Sequence, residues 1–139
     1  MYTVVGATKS RGFRVMWMLE EMGIAYDQNP ATARSDEAKK FNPLGKIPAL
    51  VDGNDVLTDS TAIMTYLGDK HGQLTAPAGT PARARQDALT FWLIDELYDH
   101  HPEFRILITF YSPSGFRIRS AYPKCHHVAY LPLDTPGNA

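Results

Sequence analysis

The fold is decided by residues 42–60, which read NPLGKIPALVDGNDVLTDS. Two short runs of strand-forming residues, Ile47–Val51 and Asp55–Leu57, are separated by Gly53-Asn54, a combination that predicts a β-hairpin. Asp59-Ser60 follows at once and can cap the start of a helix. This stretch therefore predicts two antiparallel strands that lead into a helix.

The residues before the hairpin predict a β-α-β-α unit. Tyr2–Ala7 has the composition of a buried strand, and Arg11–Met22 carries apolar residues at the spacing of one helix face, with Gly23 placed to end the helix. Ile24–Asn29 predicts a second strand, and Ser35–Phe41 a short capped helix. Together with the hairpin and its helix, the expected order is β-α-β-α-β-β-α.

The second half of the chain changes character after a linker. Gln73–Pro81 is rich in proline and glycine, which favours a domain boundary there. Ala82–Tyr98 predicts a long helix whose apolar residues spread over most of its circumference, so it needs partners on several sides. Phe104–Tyr111 is a strand-like apolar run, and the residues beyond it show no helical periodicity.

Composition excludes several classes of function. The chain has 139 residues, with 14 basic and 15 acidic side chains and a net charge of -1, so nucleic acid and anionic membranes are not expected partners. The single cysteine, Cys125, excludes an intramolecular disulfide and fits a reducing compartment such as the cytoplasm. Neither a signal peptide nor a membrane-spanning apolar run is expected.

Three segments together resemble the glutathione transferase family, in its serine-type bacterial form. They read SRGFRVMWMLEEMG over residues 10–23, NPLGKIPALVDG over 42–53 and LTDSTAIMTYL over 57–67. The resemblance implies an α/β thioredoxin-like domain over residues 1–74, followed by an all-helical domain that is truncated here. Residues 80–139 are then expected to hold the start of that helical domain and an irregular tail.

The resemblance implies that Ser10 is the catalytic residue. Ser10 precedes the first long helix, where its hydroxyl could donate to the sulfur of glutathione while the helix N-terminus favours thiolate. From position alone, an ordinary helix N-cap is about as good an interpretation. The family uses Tyr, Ser or Cys near this point, and the missing cysteine argues against thiol exchange.

Further residues are expected to hold glutathione. The resemblance implies a cis-proline at Pro48 and pairing of the Ile47 backbone with the cysteinyl part of the ligand. Lys46 could meet the glycyl carboxylate, and Arg34 is a weaker candidate of the same kind. The alternatives are an ordinary turn proline and a solvated surface lysine.

Asp59 and Ser60 are expected to hold the γ-glutamyl end of glutathione. Ser60 would bind its carboxylate through hydroxyl and backbone at a helix N-terminus, and simple capping is compatible with that role. Family members commonly carry Glu or Gln where this chain has Asp59. No metal is expected, because Cys125-His126-His127 lacks further spaced ligands, and His100-His101 at the end of a helix is expected to complement the helix dipole.

The resemblance therefore implies an enzyme that joins the thiolate of glutathione, its co-substrate, to a hydrophobic electrophile, and that forms a homodimer. The alternative is a non-catalytic module for glutathione binding or protein interaction, since the helical domain that would complete the electrophile pocket is missing. A third possibility is a fragment that is unstable alone, because the long apolar helix would expose a patch.

Overall fold

The computed structural model describes residues 1–94 with their side chains, and the backbone of three strands within 107–131. The chain divides into two compact units, Met1–Gln73 and Leu74–Ala139.

The first unit is a four-stranded sheet with three helices. Its elements are β1 (Tyr2–Val5), α1 (Gly12–Glu21), β2 (Tyr26–Asn29), α2 (Asp36–Lys39), β3 (Ala49–Asp52), β4 (Asp55–Thr58) and α3 (Ser60–His71). The strand order is β2-β1-β3-β4, with β1 parallel to β2 and the two other pairs antiparallel. The expected thioredoxin-like order β-α-β-α-β-β-α is confirmed.

Both faces of this sheet are covered. Neighbouring residues of a strand point to opposite faces, and Val4 and Val5 of β1 are both fully buried. One core includes the fully buried Val15, Leu19, Ile63 and Leu67 of α1 and α3, which contact each other. A second cluster joins Val5, Ala49, Ala31 and Ala38, so α2 and the segment before it cover the other face.

Local chemistry explains where several elements begin. The predicted strand Ile47–Val51 begins only at Ala49, because Pro48 has no N–H to give to a strand ladder. Ser35 caps α2, as predicted, by accepting a hydrogen bond from the Ala38 N–H at 3.1 Å. Gly23 follows α1 with φ +67°, a conformation that glycine adopts without steric cost.

The described part of the second unit begins with an ordered segment and a helix, α4 (Pro81–Trp92). Thr80 caps α4 by accepting from the Arg83 N–H at 3.2 Å. Arg83 is only 8% exposed and donates to the Ala76 carbonyl at 3.2 Å and to Asp87 at 2.9 Å. The predicted linker is thus tied to the helix that follows it, and the expected end of that helix near Tyr98 lies outside the described residues.

A three-stranded antiparallel sheet lies further along, formed by β5 (Leu107–Ser112), β6 (Gly115–Ser120) and β7 (Ala129–Leu131). The strand-like run predicted from Phe104 to Tyr111 coincides with β5 from Leu107 onward. The remaining tail, expected to be irregular, contains two strands, and β6 carries aromatic and β-branched residues of high strand propensity. The truncated helical domain over 80–139 stays a prediction, and His100, His101 and Cys125–His127 lie outside the described residues.

Among the helices that the structure describes, none is both long and apolar enough to cross a bilayer.

A hydrogen-bonded group fixes the C-terminal end of α3 to the β3–β4 hairpin. Tyr66 donates to the Asp52 carboxylate at 2.6 Å, and Lys70 donates to that carboxylate and, at 3.0 Å, to the Tyr66 hydroxyl. The Lys70 bond first, and the Tyr66 bond second, hold the pKa of Asp52 below its usual range.

We expect this group to make the protein less stable in acid. Because the folded pKa of Asp52 is lowered, its contribution is fully present above the unfolded pKa of about 3.9 and is lost as the pH falls through the folded value. We expect Asp52→Asn to reduce the free energy of unfolding at pH 6 and to shrink the difference between pH 6 and pH 3, measured by urea unfolding. Asp27→Asn, at an exposed carboxylate of β2, is the control, and equal acid sensitivity of all three proteins would contradict the prediction.

Candidate functional site

Two adjoining clefts lie where three loops meet at one edge of the sheet. Since β3 is antiparallel to both β1 and β4, the loop after β1, the loop before β3 and the junction after β4 are brought together. The larger cleft has about 760 Å³ and the smaller about 270 Å³, and both are lined by Arg11, Leu44, Lys46 and Ile47. The larger is also lined by Ser10, Ala33, Arg34 and Gly45, and the smaller by Asn42, Pro48, Thr58, Asp59 and Ser60. Every residue predicted for the site therefore lines one of these two clefts.

Ser10 occupies the turn that leads into α1. Its hydroxyl donates to the Ala7 carbonyl at 2.6 Å and accepts from the Gly12 N–H at 3.0 Å. Arg11 occupies the N-cap position of α1, and its side chain makes no capping hydrogen bond. Ser10, one residue before the N-cap, instead accepts the hydrogen bond from the Gly12 N–H at the start of the helix. A Cβ on Gly12 would lie 3.2 Å from the Ser10 oxygen, a close contact that would require the hydroxyl to shift by a few tenths of an ångström.

Ile47 presents unused peptide groups to the clefts. The Ile47–Pro48 peptide bond is cis, in agreement with the family pattern. Within residues 1–94, neither the N–H nor the carbonyl of Ile47 takes part in a hydrogen bond, whereas from Ala49 onward the chain pairs in β3. A peptide-like ligand could therefore pair with this segment as an added strand does.

The larger cleft is cationic. Its lining includes Arg11, Arg34 and Lys46 and no carboxylate. Arg34 and Lys46 are exposed and have no ion pair among the residues that the structure describes. The Arg34 N–H donates to the Gly45 carbonyl at 2.7 Å, which fixes the Arg34 loop beside Lys46. The arrangement suits a ligand that carries a carboxylate.

The smaller cleft ends on the N-terminus of α3. Asp59 adopts φ +70°, and its carboxylate accepts from the N–H groups of Thr61 at 2.9 Å and Ala62 at 3.2 Å. Ser60 is 3% exposed, and its own N–H has no partner in the described part of the chain. Asp59 thus caps α3, and the Ser60 N–H is available to donate a hydrogen bond to an anion.

Sequence reasoning missed the environment of Arg14. The charged side chain is only 6% exposed, and its Nη1 donates to the Ser60 hydroxyl at 3.5 Å. A signal was present, because Arg14 lies four residues before the buried Met18 and therefore on the apolar side of the helix. Arg11 also lines both clefts.

A third cleft, the aromatic cleft, has a volume of about 410 Å³. It is lined by Thr8, Phe13, Met16, Trp17, Glu20, Tyr26 and Gln28. The rings of Phe13 and Trp17 pack edge to face with 5.3 Å between their centroids. Burial first, and then the hydrogen bond to Glu20, raise the pKa of the Tyr26 hydroxyl. Thr8 belongs to the same β1–α1 loop as Ser10, so the aromatic cleft and the larger cationic cleft share that loop.

Among the described residues, no three His, Cys, Asp or Glu side chains lie close enough together to hold a metal ion.

Comparison with known proteins separates the two parts of the chain. Residues 11–70 match the family described as glutathione S-transferase, N-terminal domain. Residues 88–139 match a different family, described as 3-deoxy-D-manno-octulosonic-acid transferase (kdotransferase).

Individual relatives agree with the first match. Glutathione S-transferase 3 of Zea mays is 36% identical over an alignment of 103 residues, which covers 68% of this chain and 45% of that protein. The theta class glutathione S-transferase of Xanthomonas axonopodis pv. citri, solved with glutathione bound, superposes with a TM-score of 0.64 at 28% identity, over 74% of this chain and 53% of that one. The β-etherase LigF of Sphingobium sp. strain SYK-6 gives 0.60 at 28% identity, over 68% and 42%. The chain thus spans about half the length of these relatives.

Proposed function

Since residues 11–70 of this chain belong to the glutathione S-transferase N-terminal domain family, we propose that the two adjoining clefts bind glutathione and that its thiolate attacks a hydrophobic electrophile. The observation that carries the proposal is the meeting of Ser10, Ile47 and Ser60 at one edge of the sheet, in clefts that also hold Lys46. Glutathione needs those groups together: a donor for its sulfur, a peptide edge, and sites for two carboxylates.

Each part of glutathione has a matching group. The γ-glutamyl carboxylate accepts from the N–H and hydroxyl of Ser60, and Asp59 orders that helix end. The peptide around the cysteinyl residue pairs with Ile47, held by Pro48. The glycyl carboxylate meets Lys46, with Arg34 beside it (the full set is Ser10, Arg34, Lys46, Ile47, Pro48, Asp59 and Ser60).

The chemistry requires an ionised thiol. The thiol proton leaves to solvent, the sulfur forms a bond to the electrophilic carbon, and the leaving group departs with the electron pair of the bond that breaks. The Ser10 hydroxyl donates to the thiolate, and the N-terminus of α1 adds a partial positive charge, so both lower the pKa of the thiol. The aromatic cleft that shares the β1–α1 loop, with Phe13 and Trp17 in its lining, offers a surface for the electrophile. No metal takes part in this scheme, and we place such a protein in the cytoplasm, in a detoxifying role.

A second function is favoured by one observation. Residues 88–139 match another family, described as 3-deoxy-D-manno-octulosonic-acid transferase, instead of the glutathione S-transferases. The first unit would then bind glutathione without turnover, as a binding or interaction module. A homodimer is proposed for either function, since Phe91 and Trp92 of α4 are 63% and 50% exposed and a second copy would bury them.

The deciding experiment uses the whole chain. Calorimetry measures glutathione binding, and the absorbance of the conjugate measures turnover of 1-chloro-2,4-dinitrobenzene. Binding with turnover supports the transferase, and binding without turnover supports the module. A folded protein that does not bind glutathione contradicts both.

Lys46 provides a separate test of how the ligand is oriented. We expect Lys46→Gln to weaken glutathione binding about three- to tenfold, because an exposed charge pair is worth about 1 kcal/mol. The affinity for γ-glutamylcysteine, which lacks the glycyl residue, should fall less than about twofold in the same variant. Lys39→Gln, at an exposed lysine paired with Asp36 at 3.0 Å, is the control. Equal losses for both peptides would place the glycyl carboxylate elsewhere.

A further inference from the structure

We propose that the aromatic cleft is a binding site for a small organic cation that carries a quaternary ammonium group. Seven residues line the cleft, and three of them, Phe13, Trp17 and Tyr26, are aromatic. The face of an aromatic ring carries partial negative charge and attracts cations, quaternary ammonium groups among them. The cleft has a volume of about 410 Å³, and pockets of this size hold small organic ligands.

Glu20 gives the cleft its charge. Its carboxylate accepts from the Tyr26 hydroxyl at 3.1 Å, which places it beside one of the three rings. None of the seven lining residues is basic, and Glu20 forms no ion pair within residues 1–94. The Tyr26 hydroxyl keeps its proton at neutral pH, because burial first, and then this bond, raise its pKa. The lining therefore carries one negative charge and no positive charge.

The rings are held in place without a ligand. Phe13 and Trp17 pack edge to face, with 5.3 Å between their centroids and 68° between their planes. Trp17 Nε1 also donates to the Glu21 carboxylate at 2.8 Å, and Tyr26 is the first residue of β2. A cation that enters such a cleft has few side chains to order, so little of its binding energy is lost in that way.

The neighbouring cleft has the opposite charge. The larger cleft is lined by Arg11, Arg34 and Lys46 and by no carboxylate, and both clefts share the β1–α1 loop. An anion is therefore attracted to the larger cleft and a cation to the aromatic cleft. If glutathione occupies the larger cleft, the electrophile in the aromatic cleft carries a positive charge. This last step rests on the proposed function, whereas cation binding itself does not.

The first test measures cation binding without glutathione. Choline and 3,3-dimethylbutan-1-ol have the same shape, but the alcohol has a carbon atom where choline has its charged nitrogen. Trp92→Phe leaves Trp17 as the one tryptophan of the chain, so its fluorescence reports on the cleft. We expect choline to bind about 5- to 20-fold more tightly, the combined effect of a cation–π contact and an exposed charge pair. Equal affinities overturn the proposal.

Two variants separate the charge from the rings. Glu20→Gln keeps an oxygen for the Tyr26 hydroxyl and removes the charge, so the preference for choline should fall about three- to fivefold. Phe13→Leu keeps an apolar side chain and removes a ring, so the preference should fall about two- to fourfold. Circular dichroism melting shows which variants fold, and if Phe13→Leu does not fold, Glu20→Gln decides alone.

Asp27→Asn is the matched control for Glu20→Gln. Asp27 follows Tyr26 in β2, so its side chain points to the opposite face of the strand, and its loss removes the same charge. The preference for choline should stay unchanged in this variant. A preference that Glu20→Gln leaves intact, or that Asp27→Asn lowers equally, overturns the proposal.

The second test addresses the electrophile. Trimethyl-[4-(chloromethyl)phenyl]ammonium and 4-tert-butylbenzyl chloride differ only in a charged nitrogen against a carbon. With each, the thiolate sulfur bonds to the benzylic carbon, and chloride leaves with the electron pair of the carbon–chlorine bond. Relative to the uncatalysed rates, kcat/KM should favour the cation about 5- to 20-fold, and Glu20→Gln should reduce that preference. Equal values overturn the charge of the electrophile, whereas choline binding without any turnover supports the cation site and contradicts the proposed transferase.

Discussion

Ser10→Ala is expected to lower kcat/KM for conjugation about 100- to 1000-fold at pH 7, the usual loss for one donor to a developing or bound anion. Binding of glutathione should change less than about threefold, because its two carboxylates and its peptide are held by other residues. The variant loses the donor to the thiolate, so the pKa of bound glutathione rises and less thiolate is present. Stopped-flow absorbance of the thiolate against pH measures that shift directly.

The hydroxyl has a structural role as well, and a control must separate the two. Ser10 bonds to the Ala7 carbonyl and the Gly12 N–H, so its loss also costs about 0.5–2 kcal/mol of stability, as the loss of a helix cap does. Thr80 makes the same two kinds of bond, to the Pro77 carbonyl at 2.7 Å and from the Arg83 N–H at 3.2 Å. Thr80→Ala should therefore lower stability by a similar amount and leave turnover intact.

The Ser10 hydroxyl has only one proton to donate, which makes the prediction more specific. In the structure that proton is given to the Ala7 carbonyl at 2.6 Å, so donation to sulfur requires the hydroxyl to turn. Ser10→Thr keeps the hydroxyl and should recover most of the turnover. If Ser10→Ala conjugates as fast as the unchanged chain, Ser10 is a turn residue only, and the thiolate is stabilised by the helix N-terminus alone.

The parts of the fold and of the site that could be predicted from the sequence depend on interactions between residues that are close together in the chain. Ser35 before α2 and Asp59 before α3 act on N–H groups within three residues, and the hairpin depends on Gly53-Asn54 between two strands. Such local chemistry is independent of how the rest of the chain packs, so spacing is enough to predict it.

The parts that could not be read depend on packing between distant residues. Arg14 and Ser60 are 46 positions apart, and only the contact between α1 and α3 brings them together. Nothing in the local sequence distinguishes Arg14 from a solvated helix residue except its place on the apolar side. The tail illustrates another limit: aromatic residues and prolines without periodicity suggested an irregular segment, whereas β6 and β7 arise by pairing, which is not local.

Gly45→Ala is expected to cost about 2–4 kcal/mol of unfolding free energy, more than any other glycine change in the first unit. Gly45 has φ +62°, and a Cβ there would lie 2.9 Å from the Cα of Arg34, a contact that no real Cβ tolerates without movement. The Cβ is fixed by the backbone of residue 45, and the Arg34 Cα is itself a backbone atom, so neither can turn aside as the end of a flexible side chain would. The strain of the left-handed conformation and the overlap add together.

Gly53 separates these two contributions. It has nearly the same φ, +60°, but a Cβ there would have no atom within 4 Å, so Gly53→Ala should cost only the conformational part, about 1–2 kcal/mol. Urea unfolding of both variants gives the loss of unfolding free energy in each. The difference between the two losses is the contribution of the close approach between the Gly45 and Arg34 loops. Because Arg34 and Lys46 flank this contact, forcing the loops apart should also weaken glutathione binding, and Gly53→Ala should not. Equal costs at the two glycines would show that the Arg34 loop yields freely, and the cationic cleft would then owe its shape to the ligand and not to the fold.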